Sequence, residues 1–422
     1  MNILIKAARI IQPGSAHHDK KLDILIENGI ISNIASTIKP EKNVKVIEQE
    51  NLHVSVGWMD MQVHFCDPGF EYKEDLASGI RAAAAGGFTD VALVPSTNPP
   101  VHSKSQVLYI KNNTQDAIVG VHPIGTLSHK QEGNDLSEMY DMKQAGAVAF
   151  SDDKKTVSNA GLLARALLYI QNFDGTIITH CNEKSISNDG KMNEGITSTS
   201  LGLEGIPGLA EELMVMRNIS IAEYTNAPIH IANVSTQKSV ELIRSAKSKK
   251  LPVTASVTAY NLALDDTILK DFDSNYKLDP PLRTKADIES LHKGLQDGTI
   301  DVITTDHRPQ DIESKEIEFA HAANGMIGLE TAFGLLNTHK KKIKLDTIIT
   351  ALTSAPRSIL KLKQPTIAKG ESACITLFDP LLEWTFDQKH IQSKSKNTPF
   401  INTLFKGKVI GIIHKKQYSL NK

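Results

Sequence analysis

The sequence has few cysteines, no long apolar run and almost no net charge. Cys66, Cys181 and Cys374 lie far apart and form no C-x-x-C pair, so neither a disulfide framework nor a structural zinc knot is indicated. No apolar segment approaches the roughly 18 residues of a membrane-spanning helix, and the first residues alternate as in a strand, unlike a signal peptide. A formal net charge of −1 favours neither nucleic acid nor an anionic membrane as a partner. We therefore expect a cytoplasmic protein.

Nucleotide-binding glycine motifs are missing as well. No G-x-G-x-x-G follows a strand pattern, and no G-x-x-x-x-G-K-[ST] occurs, so a nucleotide-binding fold lacks support. Hydrophobic residues make up 40% of the chain and charged residues 23%, which is ordinary for a globular protein. The length of 422 residues suits a (β/α)8 barrel with a small additional domain.

Both ends of the chain have the pattern of short strands. Apolar clusters that predict strands lie at residues 3–5, 24–26, 373–378 and 409–413. Asn28-Gly29 and residues 406–408 predict turns. Neither end buries enough apolar surface to be stable alone. We therefore predict one small composite β-sandwich domain from residues 1–52 and 365–422, the alternative being two unrelated flexible tails.

Between the two ends, short apolar runs alternate with helical patterns. Residues 90–94 form a buried-strand pattern after residues 80–87, which predict a helix stopped by glycine. Further strand patterns lie at residues 147–150, 176–178, 228–231, 252–255 and 301–304. Such alternation is typical of a parallel sheet in an α/β fold, and the number of strands favours a closed TIM-type (β/α)8 barrel over residues 53–364. Residues 182–200, rich in Ser, Asn and Gly, predict a mobile loop over the end of the barrel.

Polar residues follow the predicted barrel strands at their carboxyl ends, where the active sites of such barrels lie. Gln62 and His64 are two residues apart, so their side chains face the same side of the first strand. The carboxylates, amide and imidazoles at the other strand ends are Asp152, Asp153, His180, Asn233, Asp306 and His307. A single strand-end histidine is more often a hydrogen-bonded structural residue. The repetition at five strand ends instead favours a site for borderline or hard divalent metals.

Nine short segments carry a recognisable pattern. They are Pro68–Asp75 (PGFEYKED), Ala82–Thr89 (AAAAGGFT), Phe150–Asp153 (FSDD), Leu203–Pro207 (LEGIP), Val234–Thr236 (VST), Pro280–Arg283 (PPLR), Thr305–His307 (TDH), Gly328–Thr331 (GLET) and Asn397–Phe400 (NTPF). In their order and spacing they resemble the dihydroorotases of the cyclic amidohydrolase superfamily. The resemblance implies an amidohydrolase barrel, a composite β domain from both termini, and a homodimer or larger assembly.

The resemblance also implies a reaction, the interconversion of N-carbamoyl-L-aspartate and L-dihydroorotate in pyrimidine biosynthesis. Enzymes of this family use one or two divalent metals, usually zinc. The metal lowers the pKa of a bound water and polarises the amide carbonyl. A carboxylate on the last metal-binding strand relays the proton.

Only part of the metal-ligand set that the resemblance implies is kept. The retained ligand positions are His64, Asp153, His180 and Asp306, of which Asp306 is also the catalytic proton relay. Gln62 and Asn233 stand where the family has imidazoles, so each of two metals loses one ligand. Neutral amides bind zinc weakly, and the loss of even an outer-shell partner typically costs roughly 10–100-fold in affinity. We therefore expect zinc binding to be weak or absent.

The positions that hold the substrate in the family are changed as well. They are Cys66 in place of Arg, Ser96 in place of Asn, Asp279 in place of Asn and Gln310 in place of His. The first change removes a bidentate cationic clamp. The change at Asp279 sets a like charge against an acidic substrate, which at about 4 Å and an effective dielectric constant near 20 costs about 4 kcal/mol. Arg308, where the family has a small residue, either supplies a compensating cation or is structural.

These losses predict a dihydroorotase-family protein of pyrimidine biosynthesis with lost or strongly impaired activity, a pseudoenzyme whose body has a structural role. The resemblance to inactive bacterial dihydroorotase-like chains suggests aspartate transcarbamoylase as the partner. One alternative is an active metal-dependent dihydroorotase with a mononuclear site on the four retained ligands. The other is a cyclic amidohydrolase acting on a different cyclic amide, so a small-molecule substrate stays an open question.

Overall fold

The structure, a computed structural model, describes residues 1–40 and 42–421. Its strands are β1 Asn2–Ile11, β2 Lys21–Glu27, β3 Ile30–Ala35, β4 Lys45–Ile47, β5 His53–Val56, β6 Trp58–Val63, β7 Phe88–Leu93, β8 Gly120–Gly125, β9 Ala149–Phe150, β10 Ile177–His180, β11 Met192–Asn193, β12 Gly205–Ile206, β13 Ile229–Ala232, β14 Val253–Thr258, β15 Val302–Thr304, β16 Cys374–Thr385, β17 Leu404–His414 and β18 Gln417–Leu420. Its α-helices are α1 Leu76–Ala85, α2 Lys104–Thr114, α3 Met139–Gln144, α4 Ala160–Ile170, α5 Lys184–Ser187, α6 Ile196–Leu201, α7 Gly208–Thr225, α8 Gln237–Ser248, α9 Lys285–Gln296, α10 Ile312–Lys315, α11 Ala332–His339, α12 Leu345–Leu352 and α13 Ser354–Ile359. None of the helices in the described ranges is long and apolar enough to cross a membrane.

The central sheet is a barrel of parallel strands. Within the described residues its order is β6-β7-β8-β9-β10-β13-β14-β15, and every neighbouring pair is parallel. The ends of this sheet meet where Val63 pairs with His307 and the His64 amide donates to the His307 carbonyl at 2.9 Å. A parallel sheet closed in this way, with helices between its strands, is the TIM-type barrel that the alternating pattern predicts.

The second large sheet is built from both ends of the chain. Its order among the described residues is β18-β17-β16-β5-β1-β2-β3, with β4 also paired to β1. The turn between β2 and β3 falls at Asn28 and Gly29, whose φ angles of 50° and 80° suit a tight hairpin turn. Since β5 spans His53–Val56, this sheet extends just past residue 52. The limits of the composite domain, 1–52 with 365–422, and of the barrel, 53–364, remain a proposal.

Helix α1 shows how the sequence sets the ends of a barrel helix. The Asp75 carboxylate accepts from the Ser78 amide at 2.8 Å, and Ser78 caps back onto the Asp75 amide. The helix ends at Ala85, as the two following glycines predict. A Cβ on Gly86 would lie 2.2 Å from the Leu329 carbonyl oxygen, so only glycine fits there. Gly87, with φ of 90°, then turns the chain into β7.

An aromatic cluster joins the barrel to the terminal sheet. The Trp58 ring, fully buried at the start of β6, lies 6.0 Å from Phe88, 5.0 Å from Phe333 and 5.5 Å from Phe378 between ring centroids. These partners come from a barrel strand, from α11 and from β16 of the terminal sheet. Aromatic side chains bury large areas, so this cluster dominates the packing between the two sheets.

Two local predictions are wrong. Residues 182–200 are not an unstructured loop, because they contain α5, β11 and most of α6. Their polar side chains are partly buried hydrogen-bond partners, as in Asn193, which donates to Asp266 and accepts from Arg283. Residues 406–408 are not a turn but lie inside β17, where the φ of 99° at Gly407 marks an irregularity opposite residues 379–383.

Candidate functional site

The polar strand ends meet at the carboxyl rim of the barrel. Gln62 lies near the end of β6 and His64 follows it, Ser96 follows β7, Asp153 follows β9, His180 ends β10, Asn233 follows β13, Asp279 lies in the loop after β14, and Asp306, Arg308 and Gln310 follow β15. The structure thus places each residue predicted for the site on the same rim, but their contacts differ from those of a metal site.

Arg308 and Asp153 form a buried ion pair at the centre of the rim. Arg308 Nη2 donates to both carboxylate oxygens of Asp153, at 2.9 and 2.8 Å, and the Ser96 hydroxyl donates to Oδ2 at 2.8 Å. Burial opposes ionisation of Asp153, but the charges of Arg308 and Lys154 outweigh it and hold the pKa of Asp153 well below its usual range. Asp153 is therefore a carboxylate whose charge is neutralised by the protein itself.

Asp306, which stands at the family's proton-relay position, is also paired with a cation of the chain. Lys154 Nζ lies 3.0 Å from Asp306 Oδ2, and the Tyr260 hydroxyl donates to the same oxygen at 2.9 Å. Lys154 also donates to the Asp279 carbonyl. Burial and the negative charge of Asp306 raise the pKa of Tyr260 well above its ordinary value, so this hydroxyl keeps its proton and remains a donor.

The His64 imidazole is engaged by the protein on both sides. Its Nε2 lies 2.7 Å from the Ser96 carbonyl oxygen, which can only accept, so Nε2 carries the ring proton. Its Nδ1 lies 2.9 Å from Cys66 Sγ. Burial, followed by the charge of Arg308, lowers the pKa of His64 to about 4, so the ring is neutral at pH 7.

Cys66 stands where the family has an arginine, and its thiol is a donor to His64. Burial, reinforced by Glu74, raises the pKa of the Cys66 thiol to about 12. The protonated thiol therefore donates to Nδ1 of His64, which leaves neither ring nitrogen with a free lone pair. A buried and protonated thiol is also unreactive.

His180 faces Asp279 across the rim. Its Nε2 lies 3.1 Å from Asp279 Oδ1, although neither ring nitrogen makes a well-directed hydrogen bond. Burial opposes ionisation of Asp279, but His180 and Lys154 hold its pKa well below the usual range. Asp279 is thus an anion at the place where the resemblance implies a neutral amide that binds an acidic substrate.

The two amides that replace imidazoles are both buried. Asn233 Oδ1 accepts from Thr304 at 2.8 Å and from Ser256 at 3.3 Å, while Nδ2 is buried without a partner. An amide nitrogen is a donor and cannot bind a metal. Gln62 lies buried beside the strand closure, where its backbone amide donates to Asp60 at 2.9 Å.

Gln310 is tied to the loop after β6. Its Oε1 accepts from Lys73 Nζ at 2.8 Å, and its Nε2 donates to the Asn324 carbonyl at 2.8 Å. Asp152 is likewise structural, since its carboxylate accepts from the Leu127 and Ser128 amides, both at 2.9 Å. Of the Asp152-Asp153 pair, Asp153 is therefore the one that faces the site.

The rim residues do not fit the zinc that the resemblance implies. Both carboxylates are neutralised by Arg308 and Lys154, and the lone pairs of His64 are already used. Across residues 1–40 and 42–421, three His, Cys, Asp or Glu ligand atoms lie within 4.8 Å of one another at one place, Asp90, Cys374 and His414, which is not on the rim. A divalent cation at the rim would have to displace the partly buried Lys154 ammonium and Arg308 guanidinium, at a large electrostatic cost.

Lys154 and Tyr260 are site residues that the sequence reasoning missed. Lys154 directly follows Asp153, and a cation next to a predicted ligand carboxylate is a signal that was present in the sequence. Tyr260 follows β14 and reaches Asp306 from 46 residues away along the chain. Nothing in its sequence neighbourhood identifies it.

Comparison with known proteins places the chain in a family. A model of the "Dihydro-orotase-like" family matches residues 53–239. The dihydroorotase of Citrifermentans bemidjiense is 40% identical over 420 residues, 99% of each chain, and that of Acetivibrio thermocellus is 44% identical over 411 residues, 96% of each chain. Among solved structures, the fold is similar to the L-hydantoinase (dihydropyrimidinase) from Arthrobacter aurescens, with a TM-score of 0.86 at 21% identity, covering 100% of this chain and 96% of the other. Because relatives about 40% identical match almost its whole length, this chain belongs to the dihydroorotase family.

Proposed function

We propose that this chain is a non-catalytic dihydroorotase-family protein of pyrimidine biosynthesis, with a structural role in an assembly with aspartate transcarbamoylase. The observation that carries the proposal is the buried pairing of Arg308 with Asp153. A cation supplied by the chain occupies the carboxylate on which the family's metal chemistry depends. Without a metal, no group on this rim lowers the pKa of a water enough to attack an amide at neutral pH.

The proton-relay carboxylate is engaged by the chain in the same way. Asp306 Oδ2 is held by Lys154 at 3.0 Å and by the Tyr260 hydroxyl at 2.9 Å. This oxygen would have to release both donors before it could accept a proton from a nucleophile.

Substrate binding is opposed as well. N-carbamoyl-L-aspartate is acidic, and the side chain that replaces the family's arginine is a protonated thiol turned toward His64. Asp279 adds a partly buried negative charge beside His180. Arg308 is committed to both oxygens of Asp153 and does not replace the lost clamp.

An apolar helix face supports a role in assembly. Leu209, Met216 and Tyr224 project from α7 with exposed fractions of 50%, 48% and 84%. Exposed apolar side chains on one side of a helix are candidates for a protein interaction site. We propose this face of α7 as part of the contact within a homodimer or with aspartate transcarbamoylase.

The activity test is a cyclisation assay with purified full-length chain and added zinc, measured in both directions. We expect no turnover of N-carbamoyl-L-aspartate or L-dihydroorotate above a heat-inactivated control. The Acetivibrio thermocellus dihydroorotase, prepared in the same buffer, is the positive control. Zinc-dependent turnover by this chain would show that it is an active dihydroorotase. Turnover of hydantoins or allantoin alone would favour the alternative of a hydrolase acting on a different cyclic amide.

The assembly test is sedimentation of the chain alone and mixed with aspartate transcarbamoylase of the same organism. We expect a complex with the transcarbamoylase that Met216→Lys weakens. Ile312→Lys is the matched control, since Ile312 is 65% exposed but lies on α10. Independent sedimentation of the two proteins would contradict the proposed partnership.

A further inference from the structure

A cavity of about 480 Å³ lies away from the rim, between the barrel and the terminal sheet. The barrel contributes residues of β7, β8 and α13 to its wall, and the terminal sheet contributes the β2–β3 turn, the start of β16 and the β17–β18 turn. Cavities of this volume at the junction of two domains commonly bind small molecules. The charges in the wall decide which kind of molecule fits.

The acid deep in this wall is already matched by a cation of the chain. Asp90 accepts from Arg357 Nη2 at 2.7 Å, and His122 Nε2 lies 3.0 Å from its other carboxylate oxygen. Burial opposes ionisation of Asp90, but His122 and Arg357 hold its pKa well below the usual range. Arg357 Nη2 also lies 3.9 Å from Cys374 Sγ. The neighbouring group of Asp90, Cys374 and His414 therefore does not fit a divalent metal.

Three lysines line the same cavity, namely Lys363, Lys415 and Lys416. Among residues 1–40 and 42–421, no carboxylate oxygen lies within 4.0 Å of any of these three ammonium nitrogens. Glu371 is the other acid in the wall, and its single charge offsets one lysine at most. The cavity therefore carries an excess of positive charge, which protonation of either histidine in its wall would only increase.

Two of these lysines form the turn between β17 and β18. His414 pairs with Gln417, so Lys415 and Lys416 are the two central residues of a hairpin turn. Their φ angles of 48° and 60° are left-handed, a conformation for which such turns favour Asn-Gly and which is strained for lysine. Residues held in strained conformations cluster at binding and active sites. The identity of this turn is therefore better explained by a ligand than by folding.

The neighbouring turn fixes the position of Lys416. A Cβ on Gly29 would lie 2.6 Å from Lys416 Cγ, so the lysine stem packs directly on the glycine of the β2–β3 turn. Partial burial lowers the pKa of Lys415, and the charge of Asp90 opposes that fall. An anion in the cavity would supply the charge partner that this ammonium group has lost from water.

We propose that this cavity binds a small molecule with two negative charges, carried by a phosphate group or by a pair of carboxylates, through Lys363, Lys415 and Lys416. Ammonium groups bind such anions as point charges. The wall also includes Ile30 and Leu362, against which an organic anion would bury part of its carbon skeleton. The site is separate from the rim and does not depend on the function proposed above.

The test is a calorimetric titration of the full-length chain with inorganic phosphate and, separately, with succinate. Both titrations are made at one low ionic strength set with chloride, because salt screens exposed charges. We expect saturable binding of one anion per chain for at least one probe. The tighter probe shows whether the ligand's charge is a phosphate or a dicarboxylate, and the absence of saturable binding with both probes overturns the site.

The decisive variant combines Lys415→Asn with Lys416→Gly, which gives the turn the residues that its backbone favours. We expect the Tm to rise while the affinity for the anion falls roughly 10-fold or more, so misfolding cannot explain the loss. Lys341→Asn with Lys342→Gln is the matched control, because it removes two exposed lysines from a turn that does not line the cavity. The control keeps the affinity of the parent chain. Equal affinity of the parent chain and the first variant overturns the site.

Discussion

Arg308 Nη2 lies 2.9 and 2.8 Å from the two carboxylate oxygens of Asp153. The pair lies on the barrel rim, where the dihydroorotase family binds divalent metals. The Asp153 side chain is 1% exposed and that of Arg308 is 16% exposed, so water screens this pair only weakly. Together with Lys154 on Asp306, it balances the buried acids with charges of the chain itself. The carboxylates of Asp153 and Asp306 are therefore each matched by a cation of the chain itself.

Replacing Arg308 tests this balance. Arg308→Gln leaves the Asp153 carboxylate buried without its cation, and breaking such a pair costs about 3–5 kcal/mol. We expect that loss in the free energy of unfolding measured with urea. Arg244→Gln is the control, because Arg244 pairs with Asp297 at 2.9 Å on the surface and such pairs contribute about 0–1 kcal/mol.

A double variant checks the cause of that loss. In Arg308→Gln with Asp153→Asn, the stranded charge is gone, so the loss is smaller than that of Arg308→Gln alone. Equal stability of Arg308→Gln and the parent chain would mean that the pair is not the balancing element of the rim.

Restoring the missing imidazoles tests which change excludes zinc from the rim. The double variant Gln62→His with Asn233→His is expected to bind no zinc. Arg308 and Lys154 still neutralise both carboxylates in that variant. Adding Arg308→Ala and Lys154→Gly is expected to create zinc binding, measured as metal per chain after dialysis. Zinc uptake by the first variant would show that the amides alone are responsible.

Stability is expected to fall in mild acid because of His230. Burial, followed by Lys247, lowers the pKa of His230 from 6.5 to about 3. Between these values the unfolded chain binds the proton and the native chain does not, so stability is full above pH 6.5. It is lost by up to about 1.4 kcal/mol for each unit that the pH falls below it.

The measurement for His230 is the pH dependence of the free energy of unfolding between pH 5 and 7. His230→Gln is expected to reduce its slope. His321→Gln is the control, since the His321 side chain is 75% exposed, and it should leave the slope unchanged. An unaltered slope in His230→Gln would contradict the prediction.

The helices and strands with a regular spacing of apolar residues were predictable, because the side of each element that is buried dictates that spacing. The run of residues 90–94 became β7, and the two glycines at 86 and 87 end α1. Strand β8 was not predicted, because its sequence GVHPIG contains proline and glycine and lacks a continuous apolar run. Barrel strands of this kind are stabilised by pairing with the strands on both sides. A local sequence pattern contains no information on those distant partners.

The site was predictable in position but not in its pairings. Strand ends place Asp153, His180 and Asp306 on the rim by topology alone. Whether the Arg308 guanidinium pairs with Asp153 or with a bound substrate depends on side-chain geometry across three strand ends. The role of Tyr260 depends on a contact between distant segments, and no spacing in the sequence encodes it.

The Trp58 ring packs against Phe88, Phe333 and Phe378, with ring centroids 5.0 to 6.0 Å away. Removal of the last 58 residues would therefore take away a wall of the barrel's own interior, not a peripheral attachment. A shortened chain ending at residue 364 would expose this indole and its neighbours to water. It would be expected to aggregate rather than persist as a free barrel, so the two termini must be made and folded together for either part to last.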